Sequence, residues 1–508
     1  MRNEVRSNTV INIIRTVTMM VLSFVTFPLV CRILGDQMMG LYAWATAFVY
    51  YFLILARISI PNIAIRECMK VRNDPDKLSL KAQEFFIIQA VTTLLSFGLM
   101  CLIIYFAHIP DFTEAIVGKN ASDLSKSLVF ILSLNFLTGV LSFEWIFTAL
   151  EKHVYMAVRS VLIAAVVDIL IFAFIRYPDW VLMYAFFAVL TTVLTVISNL
   201  IYLPRLLKFK KVGKYDFKQY LPILGILFLI SIVVAVYDKT DTFILGFIDS
   251  SKASVGSYSV AMKSVEIVIG IFTALSTVFM PRAMYYKQHN DERQYKNLNK
   301  YSFNICMLIT IPAIALMVAL ATPITKVIAG ENGYANANII LIALVSLMLT
   351  FSTSSILYTQ IFIPQKKEKY YLMSVGGAAA LNICLSLLFG FVVFKDNPAF
   401  GVALGTAITD VLLVTTLFAL SWKDSKYMLL NMNNVKIACL GLAIGIISFF
   451  ISPVLLKTLS NNLNWNILYI YILDIAIIFV GSAIIYLAGL IITKEKLIST
   501  FIHKNKRT

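Results

Sequence analysis

The sequence predicts an all-α polytopic membrane protein of 14 transmembrane helices, set as two six-helix lobes around a central cavity plus two extra C-terminal helices. Three observations carry this prediction: composition, the length of the apolar runs, and the placement of basic residues. Of 508 residues, 59% are hydrophobic and 14% charged, whereas soluble domains are near half apolar and about a quarter charged. With a mean hydropathy of +0.84 and 36 Phe, the apolar excess is too large for one globular core and needs lipid as a second solvent.

A spanning helix needs about 20 apolar residues, because the hydrocarbon core is about 30 Å thick and a helix rises about 1.5 Å per residue. The first such run, residues 9–33, lacks a small-residue cleavage pattern and is longer than the apolar part of a secretory signal, so it reads as a retained helix. The next six are 39–63, 84–107, 127–150, 154–175, 180–203 and 220–247. The remaining seven are 257–280, 303–324, 338–363, 370–394, 400–422, 435–456 and 465–493. None shows the period of two that a spanning strand requires, so the class is all-α. Trp180, Trp422 and Trp465 stand at run ends as interfacial anchors.

Basic residues orient these spans. With alternate connections assigned to opposite sides, 31 of the 43 Lys and Arg fall on the side of the termini and 8 on the other, with 4 inside helices. Both termini are therefore expected on the cytoplasmic side. The formal charge of +16 is then mainly topology, and nucleic-acid binding is not expected. The six cysteines are scattered without a C-x-x-C pair, so neither a metal nor a required disulfide is expected. The largest external connection, 108–126, is too short to hold the acid and base platform of a membrane polymerase or glycosyl-transferring enzyme, and the chain is read as a non-enzyme.

An internal repeat is visible. Ile33-Leu34-Gly35 followed by Gly40-Leu41-Tyr42-Ala43 is echoed by Ile244-Leu245-Gly246 followed by Gly256-Ser257-Tyr258-Ser259. The offset is six spans, an even number, which predicts a parallel repeat about an axis along the membrane normal. The expected organisation is residues 1–210 as one lobe, 211–430 as the second, and 431–508 as the last two helices and a basic tail.

Several segments resemble a known family. Ile65-Arg66-Glu67 with Lys70 and Arg72 follows the second span, and Trp145, Phe147, Ala149 and Glu151 close the fourth, with alanine where glycine is usual. Asp241, Leu245-Gly246, Val255 to Ser259 and Lys263 are followed by Val278-Phe279-Met280-Pro281-Arg282. Gln360, Pro364, Lys366, Glu368, Lys369, Asn382, the stretch 401–406 and Asp410 complete the pattern. In order and spacing the chain resembles the Wzx-type polysaccharide flippases of the multidrug/oligosaccharidyl-lipid/polysaccharide exporter superfamily. The resemblance implies alternating access and a polyprenyl-pyrophosphate-linked oligosaccharide as cargo, with a polysaccharide polymerase and chain-length proteins as further partners. By analogy with related lipid II flippases, it also implies that Arg15, Arg57 and Lys263 meet the pyrophosphate.

Charges within spans are candidates on physical grounds too, since each costs roughly 2.5–3.5 kcal/mol at mid-helix on insertion scales. A guanidinium fork matches phosphate oxygens, and a lysine supplies a compact cation. The rival reading for Arg15 and Lys263 is snorkelling to the interface. Asp238, Lys239 and Asp241 interrupt the seventh run, either as an internal ion-pair cluster or as a cation site where the helix is locally broken. Glu144, Asp168, Glu266, Asp410 and Asp474 are further candidates for buried acids, and Glu266 stands at i,i+3 from Lys263. No cofactor is expected, and proton and sodium coupling both stay open. Tyr50 and Tyr51 are weaker candidates for sugar contact. The alternative function is a cation-coupled multidrug or metabolite exporter of the same superfamily, using Asp168 or Glu144.

Overall fold

A computed structural model describes residues 2–57, 60–106, 121–207, 213–331, 333–429, 431–463, 465–493 and 495. Regular structure among them is helical throughout, without a strand. Helices satisfy every backbone N–H and C=O within the segment, as a lipid solvent demands. Twelve helices among the described residues are long and apolar enough to cross a membrane. The protein is thus a multi-pass membrane protein. The connection expected at 108–126 and the basic tail fall largely outside the described residues.

The chain forms two compact units, Met1–Gly256 and Ser257–Thr508. The first opens with α1 (Arg2–Arg57), which merges the first two expected spans across a kink at Gly35, φ 75° and ψ 174°. That left-handed backbone suits only a residue without Cβ. Next come α2 (Ile60–Lys70) and α3 (Pro75–Phe106). The fourth expected span is not one helix but three pieces, α4 (Ala121–Ser133), α5 (Asn135–Leu141) and α6 (Glu144–Ala149). α7 (His153–Phe174), α8 (Val181–Tyr202) and α9 (Leu221–Ile248) complete this unit. α1 packs on α3, α7 and α9, and α2 packs on α6.

One end of the unit is a core of Ile60, Ile63, Phe85, Trp145 and Ile146, with Tyr220 against Phe85. The segment before α9 is held there by a buried acid: Glu84 accepts from the Asp216 backbone N–H at 2.8 Å, Tyr220 at 2.9 Å and Lys81 at 3.0 Å. A carboxylate with three donors is one of the few charged groups that burial tolerates.

The second unit is formed from most of α10 (Ala253–Gln288), α11 (Glu292–Ala319), α12 (Ala321–Ala329), α13 (Ala337–Leu344) and α14 (Ser346–Leu357). α15 (Glu368–Leu387), α16 (Pro398–Leu420), α17 (Trp422–Leu429), α18 (Met432–Asn462) and α19 (Ile467–Ile492) follow. Two π-helical turns, Tyr358–Phe362 and Leu388–Val393, end α14 and α15. At the first turn Gln360 is fixed from α11, its side-chain oxygen by Ser302 at 2.6 Å and its carbonyl by the Tyr295 hydroxyl at 2.6 Å. α18 packs along α11 and pairs with α19 through Ser448 and Ser482 at 3.0 Å. In lipid, where apolar contact gives helices no preference for one another, such small polar pairs help hold helices together.

Candidate functional site

The break in the fourth span builds the first polar centre. Phe143 sits at φ 47°, a left-handed conformation that a bulky residue rarely adopts. The freed carbonyls find donors on other helices: Gln89 of α3 donates to Gly139 O at 2.9 Å, and Asn199 of α8 donates to Ser142 O. Non-helical backbone at membrane depth survives only when its groups are re-satisfied in this way. The break places Glu144 in the first turn of α6, where it meets Arg159 of α7 at 2.6 Å. Arg159 also donates to Asn199 Oδ1, and its guanidinium lies 5.6 Å from the Tyr155 ring centroid. Arg15 of α1 is within electrostatic reach of both Glu144 and Arg159.

Arg159 is the residue that sequence reasoning missed. The charge count assigned it to the cytoplasmic side, yet its side chain is 4% exposed within α7 and ion-paired. The available signal was a lone arginine inside an otherwise apolar run, as suggestive as Arg57 in the second span.

A second centre joins α1 to α9. Lys239 lies 5.8 Å from the Tyr50 ring centroid and pairs with Asp238 at 3.4 Å, and Asp238 stands beside the Tyr50 hydroxyl. Tyr51 and Thr240 share a hydrogen bond at 3.2 Å. Arg57 is within electrostatic reach of Tyr50, and its Nε lies 4.0 Å from where a Cβ would stand on Gly139. The helix is not broken at this cluster, as one reading of the sequence held; α9 runs through Asp238, Lys239 and Asp241 without interruption. The physical reason is that neighbouring side chains on α1 and α9 hold these polar groups, so the backbone has no carbonyl to release. Asp241 is 7% exposed, while Asp238 and Lys239 keep side-chain exposures of 45% and 32%. Arg57 is exposed.

A third feature is the meeting of the two repeat motifs. A Cβ on Gly40 would lie 1.9 Å from Lys252 O and 2.8 Å from Gly256 N, and one on Gly256 would lie 2.2 Å from Asp36 O. Gly246 packs as closely on Trp44, 1.9 Å from a virtual Cβ to Cδ1. Only glycine permits backbones to approach so closely. Between them lies Lys252, counted from sequence as an external loop charge but only 2% exposed. Its ammonium donates to Gly246 O and lies 5.3 Å from the Trp44 ring centroid. Burial pulls its pKa down to about 8, with Asp249 opposing. Asp249 is itself desolvated, yet hydrogen bonds from Ser254 and Ser251 at 2.8 and 2.9 Å hold its carboxyl below the usual range.

The other candidates stand apart from these centres. Asp168 of α7 lies beside Thr26 of α1. In the second unit, Lys263 pairs with Glu266 at 3.4 Å, both partly exposed. Asp410 is 2% exposed and accepts from Thr350 at 3.1 Å. Asp474 is fully buried between α19 and α18, accepting from Ser452 at 2.9 Å.

Solved structures share this fold. The lipid II flippase MurJ in an inward closed conformation matches with a TM-score of 0.63 at 18% identity, over 96% of this chain and 99% of that one. An inward-facing multidrug resistance MATE family transporter gives 0.62 at 13%, over 81% and 96%. A MOP superfamily transporter from Pyrococcus furiosus gives 0.54 at 13%, over 83% and 96%. The fold is therefore shared with these solved membrane transporters. Within it, residues 5–287 match the polysaccharide biosynthesis protein family, and the chain belongs to that family. No curated protein matches the sequence.

Proposed function

We propose that this chain is a flippase that carries a polyprenyl-pyrophosphate-linked oligosaccharide from the cytoplasmic to the outer leaflet of the bacterial inner membrane, by alternating access and for surface polysaccharide synthesis. The observation that carries this reading is the α1–α9 wall, where Arg57 and Lys239 reach Tyr50 and keep accessible surface within a membrane-spanning unit. Accessible cations beside an aromatic face suit an anionic sugar-lipid headgroup: phosphate takes the guanidinium and a sugar takes the ring. Arg15 and Lys263 are proposed to extend this basic path. The family match and the MurJ-like fold support the same cargo class.

The proposal includes fourteen crossings with both termini cytoplasmic, lobes at 1–210 and 211–430, and no chemistry on the cargo. Polymerase and chain-length proteins are its proposed partners. Asp168 and the Asp238–Asp241 cluster are the proposed places for proton or sodium coupling. The Gly40–Gly256 contact is proposed to be the external closure of the transport cycle. The test is the sidedness of the lipid-linked pool after depletion of the protein. Accumulation on the cytoplasmic face is expected; an unchanged pool and sidedness would refute the flippase and leave the drug-exporter alternative.

A further inference from the structure

A groove of about 770 Å³ runs along the outer side of the first unit between α7 and α8. Val158, Leu162, Ile197 and Ile201 form its walls, all well exposed. Along α7 the lining extends from Val154 to Val166, about 18 Å at about 1.5 Å per residue. That is close to the depth of one leaflet, about half of a 30 Å hydrocarbon core.

The groove differs from an ordinary lipid-facing surface at one end. Its lining there includes Tyr155, Ser198 and Arg159, whose Nε is buried without an acceptor. The same end is where α7 begins, capped by exposed Lys152, and where α8 gives way to exposed Arg205. Arg205 stands over the Tyr202 ring at 5.6 Å, and Tyr202 stacks on Tyr155 at 4.7 Å. The neighbouring acids are already engaged: Glu151 by Arg72 at 2.9 Å and Glu144 by Arg159 at 2.6 Å. An apolar channel one leaflet deep thus ends in an aromatic pair and two cations that, among the described residues, have no acid partner.

We propose that this groove holds an anionic glycerophospholipid as a resident ligand, distinct from the transported cargo. One acyl chain lies along Leu162 and Ile197, and the phosphodiester sits between Lys152 and Arg205, above the ion-paired Arg159. Basic pockets between transmembrane helices at the headgroup level select anionic lipids in this way. The length of its lining, from Val154 to Val166, matches a diacyl lipid's acyl chain better than a polyprenyl chain, which would outrun it. Only the membrane setting is needed; the flippase reading is not.

The test is native mass spectrometry of the purified full chain titrated with phosphatidylglycerol, phosphatidylethanolamine or a polyprenyl phosphate. Phosphatidylglycerol is expected to bind preferentially. Its affinity should fall about 25-fold in Lys152→Gln/Arg205→Gln, from about fivefold per basic residue at the membrane surface, with an unchanged melting temperature. Leu162→Trp, which fills the channel, should abolish retention while leaving both cations in place. Equal binding of the two phospholipids, or no effect of the double substitution, overturns the proposal. So does displacement of phosphatidylglycerol by polyprenyl phosphate, which would assign the groove to cargo. Loss of translocation in cells tests the flippase and leaves these outcomes untouched.

Discussion

Gly40→Ala tests whether the junction of the two repeat motifs is a moving contact. In the structure the new methyl would stand 1.9 Å from Lys252 O and 2.8 Å from Gly256 N, whereas ordinary contact begins near 3.4 Å. Both obstacles are backbone, so no rotamer change relieves the clash, and the strands of chain must part by roughly 1.5 Å. Overpacking of this kind costs about 1–3 kcal/mol, which shifts a two-state equilibrium roughly 5- to 150-fold away from the closed contact. The opposing term is small: alanine gains about 1 kcal/mol over glycine within a helix. Nitroxide labels at exposed Gln37 and Ser250, in a background without the six native cysteines, would read the separation by pulsed EPR. A longer distance distribution and altered transport are expected. Gly98→Ala, where nothing lies within 4 Å of the added atom, should leave both unchanged. If Gly40→Ala behaves like Gly98→Ala, the junction is not a closed contact in the membrane and the gating role fails.

The remaining predictions are read by simpler assays. Arg57→Ala should abolish translocation, measured as sidedness of the lipid-linked pool, at normal membrane abundance, because its side chain is exposed and carries little packing. Arg159→Met leaves Asn199 Oδ1 and Glu144 without their donor, and should lower stability by about 1–3 kcal/mol, seen as a lower melting temperature. Arg159→Lys should rescue it only in part, since one ammonium does not reproduce the guanidinium fork. For Lys252 the folded pKa of about 8 lies below the ordinary value of 10.5. Between those values the unfolded chain binds the extra proton, so stability rises with pH across that window and is lower below about 8. Lys252→Met should flatten this rise in melting temperature between pH 7 and pH 10.

The spans were legible because lipid makes one demand that local sequence must meet by itself, an apolar run long enough to cross. The interruptions were not. Residues 127–150 read as one helix since nothing between Ser142 and Phe143 announces a break; the break is stabilised by Gln89 and Asn199, donors supplied by α3 and α8. Conversely, Asp238, Lys239 and Asp241 suggested a broken helix, yet Tyr50 and neighbouring groups accommodate the polar atoms and the helix continues. Lys252 and Arg159 show the same limit for charge counting. Position along the chain placed both at the membrane surface, while burial depends on Trp44 in one case and on Glu144 with Asn199 in the other. The glycine repeat was visible as a pattern, but the sequence did not reveal that its two copies touch.

The two ionic centres of the first unit differ in a way that suits them to different work under the proposed function. At Glu144–Arg159 the cation is 4% exposed and multiply hydrogen-bonded. Withdrawing it from its partners would strand a buried charge, so this pair is suited to hold the broken fourth span in one geometry. At Tyr50–Asp238–Lys239 the ion pair is longer, at 3.4 Å, and its members are 32% and 45% exposed. An exposed pair is worth little to stability, typically about 0–1 kcal/mol, so a phosphate can replace Asp238 as the partner of Lys239 at small cost. A site that must bind an anion and then release it on the other side needs cations whose alternative partner is nearly as good as the substrate. Tight pairing would block entry, and an isolated cation would retain the cargo. Under the proposed function, the Lys239 ammonium, shared between a carboxylate and an aromatic face that Arg57 also reaches, suits that requirement; the Arg159 guanidinium, with its acceptors fixed on two other helices, does not.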